Sequence, residues 1–171
     1  MKKFIAFLLS LVFIFSFAGC GNTDKPSNEN QSEQNGTTGT STPAQTVFSD
    51  FKDIIKDKNM SASEIAEAIV GGDVLPFSGA SMAVEPGLLN GFKGEITGFS
   101  EGASFGPLIG SIPFIGYVFK LDPGADTEDF IKTLKDNADL RWNVCTEADE
   151  MLCEAVDNTV FFVMSPASFE D

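Results

Sequence analysis

Apolar and polar residues divide this chain into three zones. Residues 4–17 are apolar except for two serines, whereas residues 21–46 contain one apolar residue, Ala44, among glycine, proline and polar side chains. The second zone cannot bury enough surface to offset the entropy lost on ordering, so it is predicted to be a disordered linker. Residues 47–171 mix apolar and polar positions over about 125 residues, which is enough for one hydrophobic core. The pattern therefore predicts a single globular domain over 47–171.

Apolar residues at helical spacing predict three helices in this domain. The first is a short helix that starts after Ser49. The second starts with a capping box, in which Ser61 is followed three residues later by Glu64, and ends at a glycine pair. The third begins near Asp126 or Thr127, with acids in its first turn. The apolar residues that define them are Phe48, Phe51, Ile54 and Ile55 in the first, Ile65, Ala68 and Ile69 in the second, and Phe130, Ile131, Leu134 and Ala138 in the third.

Two stretches have the composition of strands. Residues 114–121, FIGYVFKL, are apolar on nearly both faces, as a central strand would be. Residues 151–164 predict a hairpin that turns at Asp157-Asn158, and the helix over 127–138 is its expected cover. The hairpin residues that share the covered face are Cys153, Ala155, Val160, Phe162 and Met164. These elements predict the α/β (α+β) class: a small two-layer domain in which an antiparallel hairpin and a central strand pack against one or two helices.

The region over 71–116 is unusual because it contains eleven glycines among many large apolar residues. Residues 102–119 carry no charged side chain, which approaches the length of a membrane span. Two prolines and several glycines in that stretch argue against a continuous helix. Buried strands and tight turns are therefore expected, and the alternative is an apolar loop that inserts into a membrane or binds a partner.

The N-terminal residues resemble a bacterial lipoprotein signal peptide. Two lysines precede the apolar zone, and residues 17–20, FAGC, are similar to a lipobox. The resemblance implies that residues 1–19 are removed as a signal peptide and that Cys20 becomes the lipidated first residue of the mature chain. Residues 20–46 would then tether the domain to the outer face of the cell membrane. The alternative is an ordinary cleaved signal peptide with an incidental cysteine.

The charge of the chain restricts its partners. The formal net charge is −14, and removal of residues 1–19 takes away two lysines and no acid, which makes it −16. Such a chain is repelled by phosphate backbones and anionic headgroups, so nucleic acid is not an expected partner. Membrane association is expected to come from the lipid on Cys20.

The absence of histidine excludes several chemistries. Ser-His-Asp and Cys-His mechanisms and the usual histidine-containing zinc sites cannot be built from this sequence. Neither a phosphate-binding loop nor a dinucleotide-binding glycine pattern is present, and no cofactor or metal is expected. Two acidic clusters, at 122–129 and 147–150, could hold calcium through oxygen ligands but lack the spacing of a calcium loop, so helix capping and solvated turns are the simpler interpretation.

Cys145 and Cys153 are eight residues apart, in a chain predicted to reach an oxidising compartment. They could form a disulfide that closes a short loop. The alternative is a pair of buried thiols.

The folded part also resembles a group of known proteins. Residues 116–150, GYVFKLDPGADTEDFIKTLKDNADLRWNVCTEADE, and 159–166, TVFFVMSP, are similar to small lipoproteins of Gram-positive anaerobes. In those proteins a lipobox and a polar tether precede a domain of unknown function. The resemblance covers most of residues 61–166, implies a cell-surface protein and assigns no catalytic residue.

Three functions remain open at this point. The first is a non-enzymatic module that binds an envelope protein or a small ligand through residues 71–116. The second is a carboxylate-based hydrolase of cell-wall polysaccharide, which needs two acids converging in a cleft, and the third is a structural spacer. Contacts of the binding module are expected at Phe92, Phe99, Phe105, Arg141 and Trp142, whereas the hydrolase would pair Glu95 or Glu101 with one of Glu147, Asp149 and Glu150.

Overall fold

Residues 41–57 and 59–169 are described by a computed structural model and belong to one compact unit. The predicted signal peptide, Cys20 and residues 21–40 of the predicted linker lie outside them. The described residues form three helices, α1 to α3, which span Pro43–Ile54, Ala62–Gly71 and Thr127–Asn137. Within the same ranges, seven strands, β1 to β7, span Gly79–Val84, Gly87–Leu88, Glu95–Ile96, Phe99–Pro107, Ile115–Leu121, Glu150–Val156 and Thr159–Ser165. The predicted α/β (α+β) class is confirmed.

Helix α1 begins earlier than the sequence pattern predicted. Thr42 is its N-cap and forms a capping box with Gln45, and Pro43 occupies the first turn, where its missing N–H costs nothing. Pro43 and Ala44 are buried. Residues 43–46 therefore belong to the folded domain, and the predicted boundary between linker and domain at 46/47 is corrected to the start of this helix.

The other two helices start where the sequence places them. Ser61 and Glu64 form the predicted capping box of α2. Asp126 is the N-cap of α3, where its carboxylate accepts hydrogen bonds from the N–H groups of Glu128 and Asp129. Both starts depend on residues that are neighbours in sequence, which is why local patterns identify them.

Five strands form an antiparallel sheet in the order β1-β4-β5-β7-β6, and β2 pairs with β3 separately. The predicted central strand is β5, which lies in the middle of the sheet. Helices α1 and α2 cover one face of the sheet, here called the α1/α2 face. Helix α3 and the segments before β4 and before β6 cover the other, the α3 face. Each face therefore has its own apolar cluster.

The C-terminal hairpin matches its prediction. It turns at residues 157–158, and Asp157 has a φ of 54°. Its α3 face buries Cys153, Val160, Phe162 and Met164 beneath the side chains of α3 that face the sheet. The predicted pairing of this face with the third helix is confirmed.

The glycine-rich region forms strands and turns rather than a long helix. Strands β1 and β4 pair across it, and its uncharged part is divided between β4, a turn and β5. A Cβ at Gly116 would lie 2.1 Å from Cζ of Phe105, so glycine is required for the Phe105 ring to cover β5. Within the described part of the chain, no helix is long and apolar enough to cross a membrane.

Candidate functional site

A groove with a volume of about 630 Å³ lies at the β1 end of the sheet. We call it the edge groove and define it by its lining residues. They are Ala80, Ser81, Met82, Asn90, Ser104, Phe105, Gly106, Pro107, Gly110, Ile112, Phe114, Ile115, Trp142, Asn143 and Val144. Its volume is within the range of small-molecule and peptide-side-chain sites.

The floor of the edge groove is an uncovered part of the α3 face. Ser104 on β4 stands opposite Met82 on β1 and opposite Tyr117 on β5. Opposed residues in a sheet point to the same side, and Tyr117 belongs to the cluster on the α3 face. Ala80 alternates with Met82 and shares that face. Because Ala80 on β1 and Ser104 on β4 have small side chains, space remains above this end of the two strands, and this space forms the groove.

The walls of the groove are held in place by hydrogen bonds between loops. The Tyr117 hydroxyl donates to the carbonyl of Asn90 at 2.7 Å, which fixes the loop before β3. The N–H of Asp139 donates to the carbonyl of Gly91 at 2.8 Å. Asn143 Nδ2 donates to the carbonyl of Gly110 at 2.6 Å, so the turn after β4 is tied to the segment before β6. The walls are therefore cross-linked to one another and to the sheet.

The electrostatic character of the edge groove is neutral. None of its lining residues is charged, although the chain as a whole carries a formal charge of −14. Large apolar side chains are exposed in it or next to it: Met82 and Val144 are 69% and 98% exposed, and Leu108 and Ile109 in the adjoining turn are 66% and 73% exposed. A groove of this kind can bind apolar groups and offer amide and hydroxyl hydrogen bonds, but it holds no acid or base.

Comparison with known proteins gives no family for this chain. No protein-family model, curated protein or solved structure matches it.

Two of the five residues predicted to contact a partner, Phe105 and Trp142, line the edge groove. Phe92 and Phe99 are buried in the cluster of the α3 face and are absent from the groove lining, so the fold does not bring these two predicted contacts to the groove. Phe105 lines the groove, and its side chain belongs to the buried cluster of the α1/α2 face. A Cβ at Gly102 would clash with the Phe99 ring and a Cβ at Gly116 with the Phe105 ring, so these glycines leave room for the two rings in the core.

Arg141 lies outside the groove lining. Its Nε is 3.1 Å from Oε2 of Glu147, and both side chains are exposed. This surface ion pair is worth little energetically. The residue next to it, Trp142, is the one that faces the groove.

The acids proposed for hydrolysis do not converge in the edge groove. Glu101 Oε2 accepts a hydrogen bond from the N–H of Ala62 at 3.0 Å, and thereby binds the start of α2. Glu150 Oε1 accepts from the N–H of Ala44 at 3.2 Å and from the Ser165 hydroxyl at 3.0 Å, and thereby binds the start of α1.

The remaining acids of that set are also outside the groove. Asp149 accepts a hydrogen bond from the N–H of Ala167 at 2.9 Å, and Glu95 is exposed on β3. None of the five acids lines the edge groove. The described residues also contain no group of three or more side chains placed to hold a metal ion.

The two cysteines of the domain are free. Cys153 is buried on the α3 face of the hairpin, whereas Cys145 is exposed in the segment before β6. The disulfide that their spacing allowed is not formed, because the Cys153 side chain points into the apolar cluster. Burial raises the pKa of the Cys153 thiol from 9.0 to about 12.

The region 71–116, where binding was expected, contains most of the groove lining, but only Phe105 and Trp142 of the lining residues were named individually as contacts from the sequence. Ala80, Ser104 and Asn143 have no chemical signature, and their proximity depends on strand register and loop contacts. The signals that pointed to the site were the glycine-rich region over 71–116 with its uncharged stretch, which supplies much of the lining, and Trp142.

Proposed function

We propose that this chain is a surface lipoprotein, anchored to the outer face of the cell membrane by lipid on Cys20, whose domain binds an apolar segment of an envelope protein without catalysis. The observation that carries the proposal is the neutral edge groove. Charged residues are depleted from the centres of protein interfaces, and aromatic residues and methionine are enriched there. Met82 and Trp142 supply these residue types within an otherwise acidic surface.

The exposed apolar residues support binding to another protein. Of the five large apolar side chains that are exposed among the described residues, Met82, Leu108, Ile109 and Val144 lie within or next to the groove, and Leu88 on β2 lies outside its lining. Contiguous apolar patches of this kind are characteristic of interaction sites. Trp142 adds a large, rigid side chain of the type that dominates binding energy at interfaces.

The placement of the acids favours binding over hydrolysis. A glycosidase needs two carboxyl groups on either side of the scissile bond. Glu101 and Glu150 instead accept hydrogen bonds at the starts of α2 and α1. Solvation and charge repulsion between copies account for the remaining acidity.

A photo-crosslinking experiment tests the proposed function. Val144 is replaced by p-benzoylphenylalanine in the full-length protein, produced in a bacterium that lipidates it, and the cells are irradiated. Because Val144 is 98% exposed at the groove, we expect a crosslink to one envelope protein, identified by mass spectrometry. The same crosslinker at Lys132, exposed on α3 and away from the groove, should not give that product.

A pair of charge substitutions makes the test specific to the groove. Ala80→Asp places a carboxylate in the groove, where a bound apolar segment would bury it unpaired, and should reduce the crosslink at least about tenfold. Ala125→Asp adds the same charge at an exposed position in the turn before α3, off strand β1 and outside the groove lining, and should leave the yield unchanged. An equal yield from both variants would contradict the proposal.

The anchor makes a separate prediction. Intact-mass analysis of the protein extracted from membranes should show cleavage before Cys20 and a diacylglyceryl adduct on its thiol. Cys20→Ser should abolish the adduct and release the protein from the membrane fraction. An unmodified Cys20 in membrane-bound protein would overturn the lipid-anchored part of the proposal while leaving the groove hypothesis to its own test.

A further inference from the structure

Strand β1 forms one edge of the five-stranded sheet. It pairs with β4, and no other strand among the described residues pairs with it. The N–H of Leu108 donates to the carbonyl of Ser78, directly opposite in the same register. Because hydrogen-bonded pairs alternate in an antiparallel ladder, residues 80, 82 and 84 bond to β4. The N–H and C=O groups of Gly79, Ser81 and Ala83 therefore point away from the sheet along its free edge.

This edge lacks the features that protect sheet edges from pairing. Natural edge strands carry charges, proline or bulges, or are very short. β1 has six residues, GASMAV, with no charge and no proline, and its pairing with β4 is continuous. The opposite edge strand, β6, carries Glu150 and Glu154. The β6 edge of the sheet therefore carries charged side chains, whereas the β1 edge is uncharged and has no further strand beside it among the described residues.

The open edge and the edge groove share residues. Ala80 and Met82 are part of β1 and also line the groove. A strand added beside β1 would place alternate side chains on the α3 face, next to Met82 and towards the groove. Recognition of this kind obtains affinity from main-chain hydrogen bonds and specificity from side-chain pockets. The geometry of the site therefore fits an extended polypeptide.

Charge at one end of β1 restricts the sequence of that polypeptide. Glu85 follows β1 directly, and Glu101 on β4 precedes Gly102, the partner of Val84. Glu85 forms no ion pair with any described residue. A peptide that lies along β1 is therefore expected to lack acidic residues and to place a basic residue at the Glu85 end.

We infer that the occupant of the edge groove is an extended segment of another polypeptide, which pairs with β1 as a sixth strand of the sheet. The segment carries apolar residues at alternate positions, no acidic residue and a basic residue beside Glu85. This inference rests on the proposed binding function and adds the class and conformation of the ligand. A second copy of this chain fits poorly, because two domains of high negative charge repel each other.

Peptide selection provides the probe. A displayed library of random peptides of about ten residues, the upper length of ordinary strands, is selected on the full-length lipoprotein in detergent. We expect enrichment of peptides with alternating apolar residues, a basic end and no acids. Selection on the Ala80→Asp variant should not enrich them.

Two backbone tests then distinguish strand addition from simple burial of side chains. Ser81→Pro removes an N–H on the free edge, a position where proline is compatible with an edge strand. It should weaken binding of a selected peptide at least about tenfold, whereas Ser81→Ala, which removes the same hydroxyl but keeps the N–H, should weaken it much less. Two versions of the selected peptide are then tested on the wild-type protein, one N-methylated at its odd-numbered amides and the other at its even-numbered amides. The version whose methylated amides face β1 should lose binding, and the version whose methylated amides face away should keep it. This second test decides the question even if Ser81→Pro does not fold.

Each outcome has a definite meaning. Equal binding by Ser81→Pro and by both methylated sets, with sensitivity to Ala80→Asp, would overturn strand addition but leave the groove as a binding site. Failure of any peptide to enrich would overturn both the inference and a polypeptide partner for the groove. Self-association of the wild-type protein that Ser81→Pro abolishes would assign the edge to a second copy and overturn the inference.

Discussion

Replacing Phe161 with alanine should lower the free energy of unfolding by about 3–5 kcal/mol, the usual cost of removing a fully buried aromatic ring. Phe161 lies on β7, and its side chain is fully buried on the α1/α2 face. Its ring centroid is 5.0 Å from that of Phe51 on α1 and 6.0 Å from that of Phe105 on β4. The substitution removes one of the side chains that join the first helix to the sheet. Urea unfolding followed by circular dichroism measures the loss.

Phe48→Ala is the matched control for this prediction. Phe48 also contacts Phe161, with ring centroids 5.6 Å apart, but it is only half-buried. Its removal leaves a smaller cavity and should cost clearly less than Phe161→Ala. Equal costs would contradict the view that Phe161 is the central residue of this cluster. Since Phe161 faces away from the edge groove, the folded fraction of Phe161→Ala should bind selected peptides with unchanged affinity.

Local sequence patterns predicted the features that local interactions determine. The start of α2 is marked by Ser61 and Glu64, and the start of α3 by the carboxylate of Asp126. Both are visible in the sequence because a capping residue and the N–H groups that it binds lie within three residues of each other. The hairpin turn at Asp157 was predictable for the same reason, since its two-residue loop favours residues that tolerate positive φ. These signals need no knowledge of the rest of the fold.

The start of α1 was missed although a local signal was present. Thr42, Pro43 and Gln45 form the cap, but they lie in a polar stretch whose composition predicts disorder. What stabilises this start is distant in sequence: Glu150 binds the N–H of Ala44 across 106 residues. Composition over a window cannot register a single long-range hydrogen bond.

The edge groove was the least predictable feature. Which aromatic residues of the glycine-rich region are exposed depends on where glycines allow rings to pack, as Gly116 does for Phe105. The neutrality of the stretch over 102–119 was visible in the sequence, but the uncovered part of the α3 face was not. That opening depends on how far α3 and the segment carrying Trp142 extend over the sheet.

Raising the pH from 8 to 10.5 should lower the free energy of unfolding by about 2 kcal/mol through Cys153 alone. Burial raises the pKa of its thiol from 9.0 to about 12, with a small opposing effect of Lys135. The unfolded chain can therefore ionise this thiol at pH values where the folded domain cannot. The stability is fully present below about pH 9 and is lost as the pH rises towards 12, at about 1.4 kcal/mol per pH unit.

The Cys153→Ala variant separates this effect from other alkaline titrations. Alanine does not ionise, so the variant should lose less of its free energy of unfolding between pH 8 and 10.5, even though truncation of a buried side chain lowers the starting value. Burial also raises the pKa of Tyr117, and that phenol should contribute the part of the loss above pH 10 that both proteins share. Denaturant unfolding at several pH values compares the slopes rather than the absolute stabilities. Equal slopes for wild type and variant would mean that Cys153 ionises as readily in the folded domain as in the unfolded chain, and that the α3 face is open to water at the hairpin.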